Sequence, residues 1–283
     1  MMTWISRLNE AMQYIEMHLS EKIEIESLAK IACCSEYHFQ RMFSYMADVP
    51  LSEYIRRRRM SLAAADLKSS EEKIVDIALK YGYDSPTAFN RAFQSIHGAP
   101  PSAVRKENLP VKSYPPIQFH LSISGGQALE YRIEKMKAFR IMGYGAQLSD
   151  RIEENFENVP HLWSRLAQDG SIPKLIAMMN QPPFGLLGVS ACNDRNAWRY
   201  YIGVSSDQPL LEGMEELIVP ESTWAVFSGN GKGTDIQQLE KRVVLEWLPT
   251  SGYEYANAPD VEVYLNDDSQ NAKFEVWIPV IKK

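Results

Sequence analysis

Two groups of residues carry chemistry that their types and spacing make legible. The first is a repeated aromatic–cation skeleton, Phe39-Gln40-Arg41-Met42-Phe43 and Phe89-Asn90-Arg91-Ala92-Phe93. Phenylalanines four apart share a helical face, and the arginine between them leaves at a neighbouring angle. Such a helix buries its rings and presents a cation outward, and two of them in one short segment suit adjacent major-groove stretches of a single duplex. The second group lies near the C-terminal end. In 261–265, Glu262 and Tyr264 alternate onto one strand face, and in 274–281 Glu275 and Trp277 do so opposite Phe274, Val276 and Ile278. A carboxylate beside rings suits a lipophilic cation, because the rings add cation–π attraction and the carboxylate supplies the countercharge. The all-apolar face of the last strand is the natural one to cover helices. That reading turns Glu275 and Trp277 toward a groove with Glu262 and Tyr264, with Trp198, Tyr200, Trp224 and Tyr255 as candidate walls.

The elements that must position these groups follow from periodicity and caps. Trp4, Ile5, Leu8, Met12, Ile15 and Leu19 stripe a first helix. A short helix over 25–32 leads through Cys33-Cys34 to Ser35, an N-cap for the helix carrying Arg41. An Arg-rich helix over 52–67 joins this unit to a second, in which 74–78 is helical, 81–84 turns, and Ser85-Pro86 opens the helix carrying Arg91. Residues 108–116 hold Pro110, Pro115 and Pro116 and read as a semi-extended linker, with 117–123 alternating as a leading strand. Beyond it, strand-like stretches at 138–144, 184–191 and 198–204 flank a helix over 152–166. The order returns as 217–227, a helix over 236–248, then 261–265 and 274–281, a βαββ unit occurring twice.

At 283 residues the chain has length for two domains, with 45% hydrophobic residues and no apolar run near the ~18 residues that span a bilayer. Its net charge of −6 is uneven. Residues 1–106 hold 14 Lys+Arg against 13 Asp+Glu, and 107–283 hold 16 against 23. Any nucleic-acid surface must therefore concentrate its cations on one face. Cys33, Cys34 and Cys192 lack metal spacing, and 1–10 lacks a signal-peptide pattern, so a cytoplasmic location is expected, with no metal and no cofactor.

From about Trp4 to Arg105 the sequence resembles the AraC family of bacterial transcription regulators, most closely through Ile77-Ala78, Gly82-Tyr83, Phe89, Arg91, Phe93, Gly98 and Pro101. The resemblance implies base-reading positions at Tyr37, Gln40 and Arg41 in the first unit and Thr87, Ala88 and Arg91 in the second. Gln and Arg have the bidentate chemistry for adenine and guanine, while Ala88 offers only a methyl contact. Ser35, Ser85 and the helix N-termini are expected to hold phosphates. The second half resembles the GyrI-like effector-binding domain through Phe184-Gly185-Leu186, the 198–204 run, Ile218-Val219-Pro220, the 247–253 run and the 274–280 run. This implies a pocket for amphipathic, aromatic or cationic compounds.

The expected architecture is multi-domain: an all-α double helix-turn-helix DNA-binding domain at 1–108, a linker at 109–124, and an α+β GyrI-like domain of two βαββ repeats at 125–283. The expected function is a non-enzymatic regulator, monomer or weak dimer, with double-stranded promoter DNA, a small hydrophobic or cationic effector and RNA polymerase as partners. Two rivals stand beside it. Glu262 or Glu275 is a candidate general base for hydrolysis of strained cyclopropane-type compounds, and the second domain is a candidate protein-interaction module.

Overall fold

The computed structural model describes residues 4–120, 128–149, 152–192, 198–233, 235–256, 258–266, 268 and 270–283. The chain divides into two compact units, Met1–Leu121 and Ser122–Lys283.

The first unit is helical: α1 (Trp4–Met17), α2 (Ile25–Ala32), α3 (Glu36–Ala47), α4 (Leu51–Ser69), α5 (Ile74–Lys80), α6 (Pro86–His97) and α7 (Pro101–Glu107). The turns form where the caps place them. Cys33 ends α2 in the left-handed region at φ 55°, and the Ser35 side chain then accepts from the His38 N–H at the start of α3. Ser85 accepts from Ala88, Pro86 opens α6, and Gly98 ends it at φ 84°, a conformation a side chain would strain. Phe89, Phe93, Ile77, Met60 and Val104 centre the core of the second helix-turn-helix.

The Arg-rich stretch of α4 ties the unit together. Arg56 and Arg57 both donate to Glu53. Arg58, 7% exposed, holds Glu16 with Nη2 at 2.7 Å and donates to the Tyr114 carbonyl. Arg59 donates to the carbonyls of Leu19 and Glu21. Asp66 instead accepts from Lys80 and the Tyr81 hydroxyl.

Residues 109–120 were expected to be a linker running into a strand. Their described part is instead docked on this unit without strand pairing. The Tyr114 N–H donates to Ser61, the Ile117 N–H to the Tyr54 hydroxyl, and Phe119 exchanges two hydrogen bonds with Asn9 while its ring meets Phe43 edge-on. Residues 121–124 lie outside the described residues.

His97 anchors the same strap. Its Nδ1 accepts from the Lys112 N–H, so the neutral ring must donate from Nε2 to the Met60 carbonyl at 3.1 Å. Burial holds its pKa below the ordinary value, and burial together with the Arg41 charge holds that of His38 well below it. Both rings are therefore neutral when folded. The stability this represents is complete above the unfolded value of about 6.5 and is lost as pH falls below it toward the lowered folded values. Thermal unfolding of the first unit is expected to move to lower temperature between about pH 7 and pH 5. His97→Gln is expected to flatten part of that slope; an unchanged slope would show that the ring does not titrate this way.

The second unit contains β1 (Tyr131–Met136), β2 (Phe139–Gln147), α8 (Ile152–Gln168), α9 (Ser171–Met178), β3 (Leu186–Cys192), β4 (Trp198–Ser205), β5 (Glu215–Val219) and β6 (Ser222–Gly231). It continues with α10 (Asp235–Arg242), which runs into a π-helical turn (Val243–Trp247), then β7 (Tyr253–Tyr255), β8 (Val261–Tyr264) and β9 (Ala272–Lys282). The strands pair antiparallel in the order β1-β6-β9-β8-β3-β4-β2-β5, and β7 pairs β9. The two βαββ halves are β2-α8-α9-β3-β4 and β6-α10-β8-β9, which meet at β3–β8. Each half has a leading strand that pairs with the other half: β1 with β6 and β5 with β2.

This exchange fixes the curvature. β1 lies at one edge and β2 next to the other, yet only Lys137 and Ala138 connect them, so Met136 and Phe139 are within about 11 Å along the chain. A flat sheet of eight strands at ~4.8 Å would separate its edges by roughly 34 Å. The sheet therefore curls until its edges approach. Among the described residues, the core of its inner face is built from strand side chains, including Trp224, Trp277, Tyr201, Val226, Leu187, Val189, Val261 and Val263. The helices lie on the outer face: Trp163 of α8 meets Tyr264, and Leu239 of α10 lies over Gly229 and Phe274.

Candidate nucleic-acid interface and effector site

The two arginine-bearing helices differ in what they expose. In α6, Phe89, Phe93, Ile96 and His97 are buried, while Thr87, Ala88, Asn90, Arg91, Gln94 and Ser95 face solvent. The three residues expected to read bases there share one accessible surface, beginning at a capped N-terminus where backbone N–H groups favour a phosphate.

Helix α3 departs from the expectation. Phe39 and Phe43 are core, as the spacing indicates, and Tyr37 and Gln40 are partly exposed, but Arg41 is 5% exposed. Its guanidinium lies 5.9 Å from the Tyr37 ring centroid and 6.0 Å from that of Tyr45, the residues one turn before and after it. Two i±4 rings thus sheath the cation along the helix. The expectation that Arg41 points outward is corrected: its charge is spent inside the unit.

Among the residues expected to form the effector site, register decides which meet. Glu262 pairs with Val276 and Val263 with Glu275 across β8–β9, so Glu262 and Tyr264 share the outer face with Phe274 and Val276. Glu275 and Trp277 are on the inner face. The single groove expected to hold all four is therefore corrected to two separate arrangements. As expected, the apolar face of β9 covers the helices, but Glu262 and Tyr264 lie under them too.

On the inner face, Trp277 is 4% exposed and Trp224 is fully buried, their centroids 5.9 Å apart. Both are core, not pocket walls. Glu275 is gripped by Arg132 at 2.8 and 3.0 Å and accepts from Trp277 Nε1 at 2.8 Å. Burial raises its pKa, but these donors outweigh burial and bring it below the ordinary value. A carboxylate so held is a poor general base. Tyr255 is also elsewhere: it pairs with Val280, four residues along β9 from the partner of Glu262, and its hydroxyl donates to Asp260.

The outer-face cluster is compact. The Tyr200 hydroxyl donates to Glu262 Oε2 at 2.8 Å, the Tyr264 hydroxyl donates to the same oxygen at 3.1 Å, and Trp163 Nε1 donates to Tyr200 Oη at 3.2 Å. The Trp163 and Tyr264 rings meet edge-on at 5.0 Å. Burial, with the Glu262 charge, pushes both tyrosine pKa values well above the ordinary range, and Glu240 adds to this at Tyr264. Both hydroxyls therefore remain donors at neutral pH. Trp198 lies two residues from Tyr200 on the same strand face and is partly buried.

Gly188 makes the cluster possible. It faces Glu262 across β3–β8, and a Cβ there would sit 2.2 Å from Tyr200 Oη and 2.7 Å from Glu262 Oε2. Gly188→Ala is expected to cost about 1–3 kcal/mol in denaturant unfolding and to abolish the Tyr200–Glu262 contact. Unchanged unfolding would mean that the side chains move aside freely.

Three participants escaped the sequence reading: Trp163, Gly188 and Glu240. Glu240 is 2% exposed and lies one turn from buried Ile236 on α10. An acid on the apolar stripe of an amphipathic helix was the available signal. No group of three or more His, Cys, Asp or Glu capable of holding a metal occurs among the described residues, and no described helix is long and apolar enough to cross a membrane.

A double helix-turn-helix unit followed by an α+β domain of this kind is the architecture of a DNA-binding transcription regulator with an effector-binding domain. Residues 129–281, more than half the chain, match the GyrI-like small molecule binding domain, and residues 28–107 match a helix-turn-helix domain; the chain belongs to the GyrI-like family and carries that domain behind an AraC-type DNA-binding unit. It is 36% identical over 100 residues to the HTH-type transcriptional activator AarP of Providencia stuartii, covering 35% of this chain and 74% of that one. Similarity to the right origin-binding protein of Escherichia coli (strain K12) is 23% over 288 residues, spanning 96% of this chain and 97% of that one. A solved structure of SAV2435 bound to tetraphenylphosphonium aligns with a TM-score of 0.47 and 21% identity, over 54% of this chain and 94% of that one.

Proposed function

We propose that this AraC-type regulator reads double-stranded promoter DNA chiefly through Thr87, Ala88 and Arg91 of α6, with Tyr37 and Gln40 of α3 in support. Lipophilic cations bind in its second domain at Glu262, Tyr200, Tyr264 and Trp163, with Trp198 as a flanking wall. The observation that carries the effector reading is the convergence of two tyrosine hydroxyls on one Glu262 oxygen beneath an indole ring. Neutral donors hold the carboxylate in place without cancelling its charge, and the rings offer faces to a cation. Occupancy alters how the first unit engages promoter DNA or RNA polymerase in the cytoplasm, with the protein acting as a monomer or weak dimer.

Titration with tetraphenylphosphonium, followed by tryptophan fluorescence, tests the site beside neutral triphenylphosphine oxide. Saturable quenching by the cation at micromolar concentration, with at least tenfold weaker response to the neutral compound, is expected. Equal response to both would remove the carboxylate from the recognition. Gel shifts of the chain's own upstream region, with and without the cation, test the coupling.

A further inference from the structure

Helix α4 is a single 19-residue rod joining the two helix-turn-helix halves of the first unit, and one of its arginines touches both. Arg59 Nε donates to the Leu19 carbonyl at 2.9 Å and Nη2 to the Glu21 carbonyl at 2.6 Å. Both acceptors lie in the turn between α1 and α2, just beyond the C-terminal end of α1, where helix carbonyls favour a cation. They fix where the first helix-turn-helix begins. The remaining nitrogen faces the second. A Cβ on Gly82 would lie 3.2 Å from Arg59 Nη1, and Gly82, at φ 78°, lies in the turn between α5 and α6. The planar fork thus reaches from the entry of α2 to the turn that aims α6, which a compact ammonium cannot do. Its donors serve protein carbonyls rather than a phosphate.

We infer that Arg59 is a positioning residue that sets the phase between the two reading helices, so that the protein selects operators by the number of base pairs between two half-sites as well as by their bases. This rests on the reading in which α3 and α6 both meet one duplex. Successive major-groove segments recur about every 10 base pairs, so one inserted pair moves the next segment by about 3.4 Å and turns it by about 35° around the axis. Two helices held at a fixed offset cannot follow that step, whereas two helices free to rock on α4 can. Arg59→Lys keeps the charge, and with it any long-range attraction to DNA, but loses the fork.

The test uses the full chain and a duplex from its own upstream region. Hydroxyl-radical footprinting locates the protected segments, and the duplex is remade with one base pair inserted or removed between them. Wild type is expected to protect two segments one helical turn apart and to bind both altered spacings roughly tenfold more weakly, in the range of one lost base contact. Arg59→Lys is expected to bind all three duplexes within about threefold of one another. Where Arg59→Lys lacks a cooperative thermal transition, Gly82→Asn makes the same comparison. Asparagine tolerates the left-handed turn, and its side chain displaces the guanidinium from the other side. A variant that keeps the wild-type spacing preference overturns the inference, including one whose affinity falls equally at every spacing, as a merely structural role would have it. Wild-type indifference to spacing also overturns it, while two protected segments leave the two-helix reading standing. A single protected segment removes both.

Discussion

Replacing Arg91 by alanine is expected to weaken binding to the chain's own promoter region by about 5- to 100-fold, the value of one good arginine–guanine contact, and to leave thermal unfolding unchanged. Arg91 is exposed on a helix whose aromatic side is buried, so its removal opens no cavity. Arg41→Ala is expected to do the reverse. Its side chain is 5% exposed, between the rings of Tyr37 and Tyr45. Deleting it strips packing from its stem and leaves two rings uncovered, at about 1–3 kcal/mol of stability. Gel shifts at fixed salt and denaturant melts of both variants make the comparison. An Arg41 variant that unfolds normally but loses DNA would return base reading to α3 and refute the division of labour.

That division was legible in the sequence, though not in the motif that drew attention. Arg41 and Arg91 occupy the same skeleton, but the residues four before and four after are Tyr37 and Tyr45 in one case and Thr87 and Ser95 in the other. Large rings at i±4 cover an arginine, and small polar residues leave it in solvent. The caps at Ser35, Ser85-Pro86 and Gly98 are equally local, which is why helix boundaries in the first unit followed from sequence. The second unit is governed by pairing between distant segments. Alternation correctly put Glu262 with Tyr264 and Glu275 with Trp277, yet it carries no information on the phase of one strand against another. One residue of register separates a shared groove from opposite faces. The exchange of β1 and β5 between halves, which curls the sheet and buries Trp224, is likewise set by pairing that spans the whole domain.

The two carboxylates therefore predict opposite phenotypes, although the sequence offered them as equivalents. In Glu262→Gln the amide oxygen still accepts from Tyr200 and Tyr264, so unfolding is expected to be nearly unchanged. The charge is gone, and cation affinity is expected to fall by about 10- to 100-fold, in the range for removing a partly desolvated partner charge. A neutral aromatic ligand should barely notice. In Glu275→Gln the two-oxygen grip on Arg132, at 2.8 and 3.0 Å, becomes a single contact. Because Arg132 is nearly half exposed, water recovers part of the loss, and about 1 kcal/mol of stability is expected to disappear. Cation affinity should stay within about twofold, since Glu275 faces the packed inner side of the sheet. The pH signature distinguishes the two further. The Glu275 pKa is lowered in the folded state, so its contribution is complete above the unfolded value of about 4.3 and is lost as pH falls through the lowered folded value. Acid unfolding of Glu275→Gln should lack that component. Loss of cation binding in Glu275→Gln, with Glu262→Gln unaffected, would move the effector site to the inner face and overturn the assignment that the strand register supports.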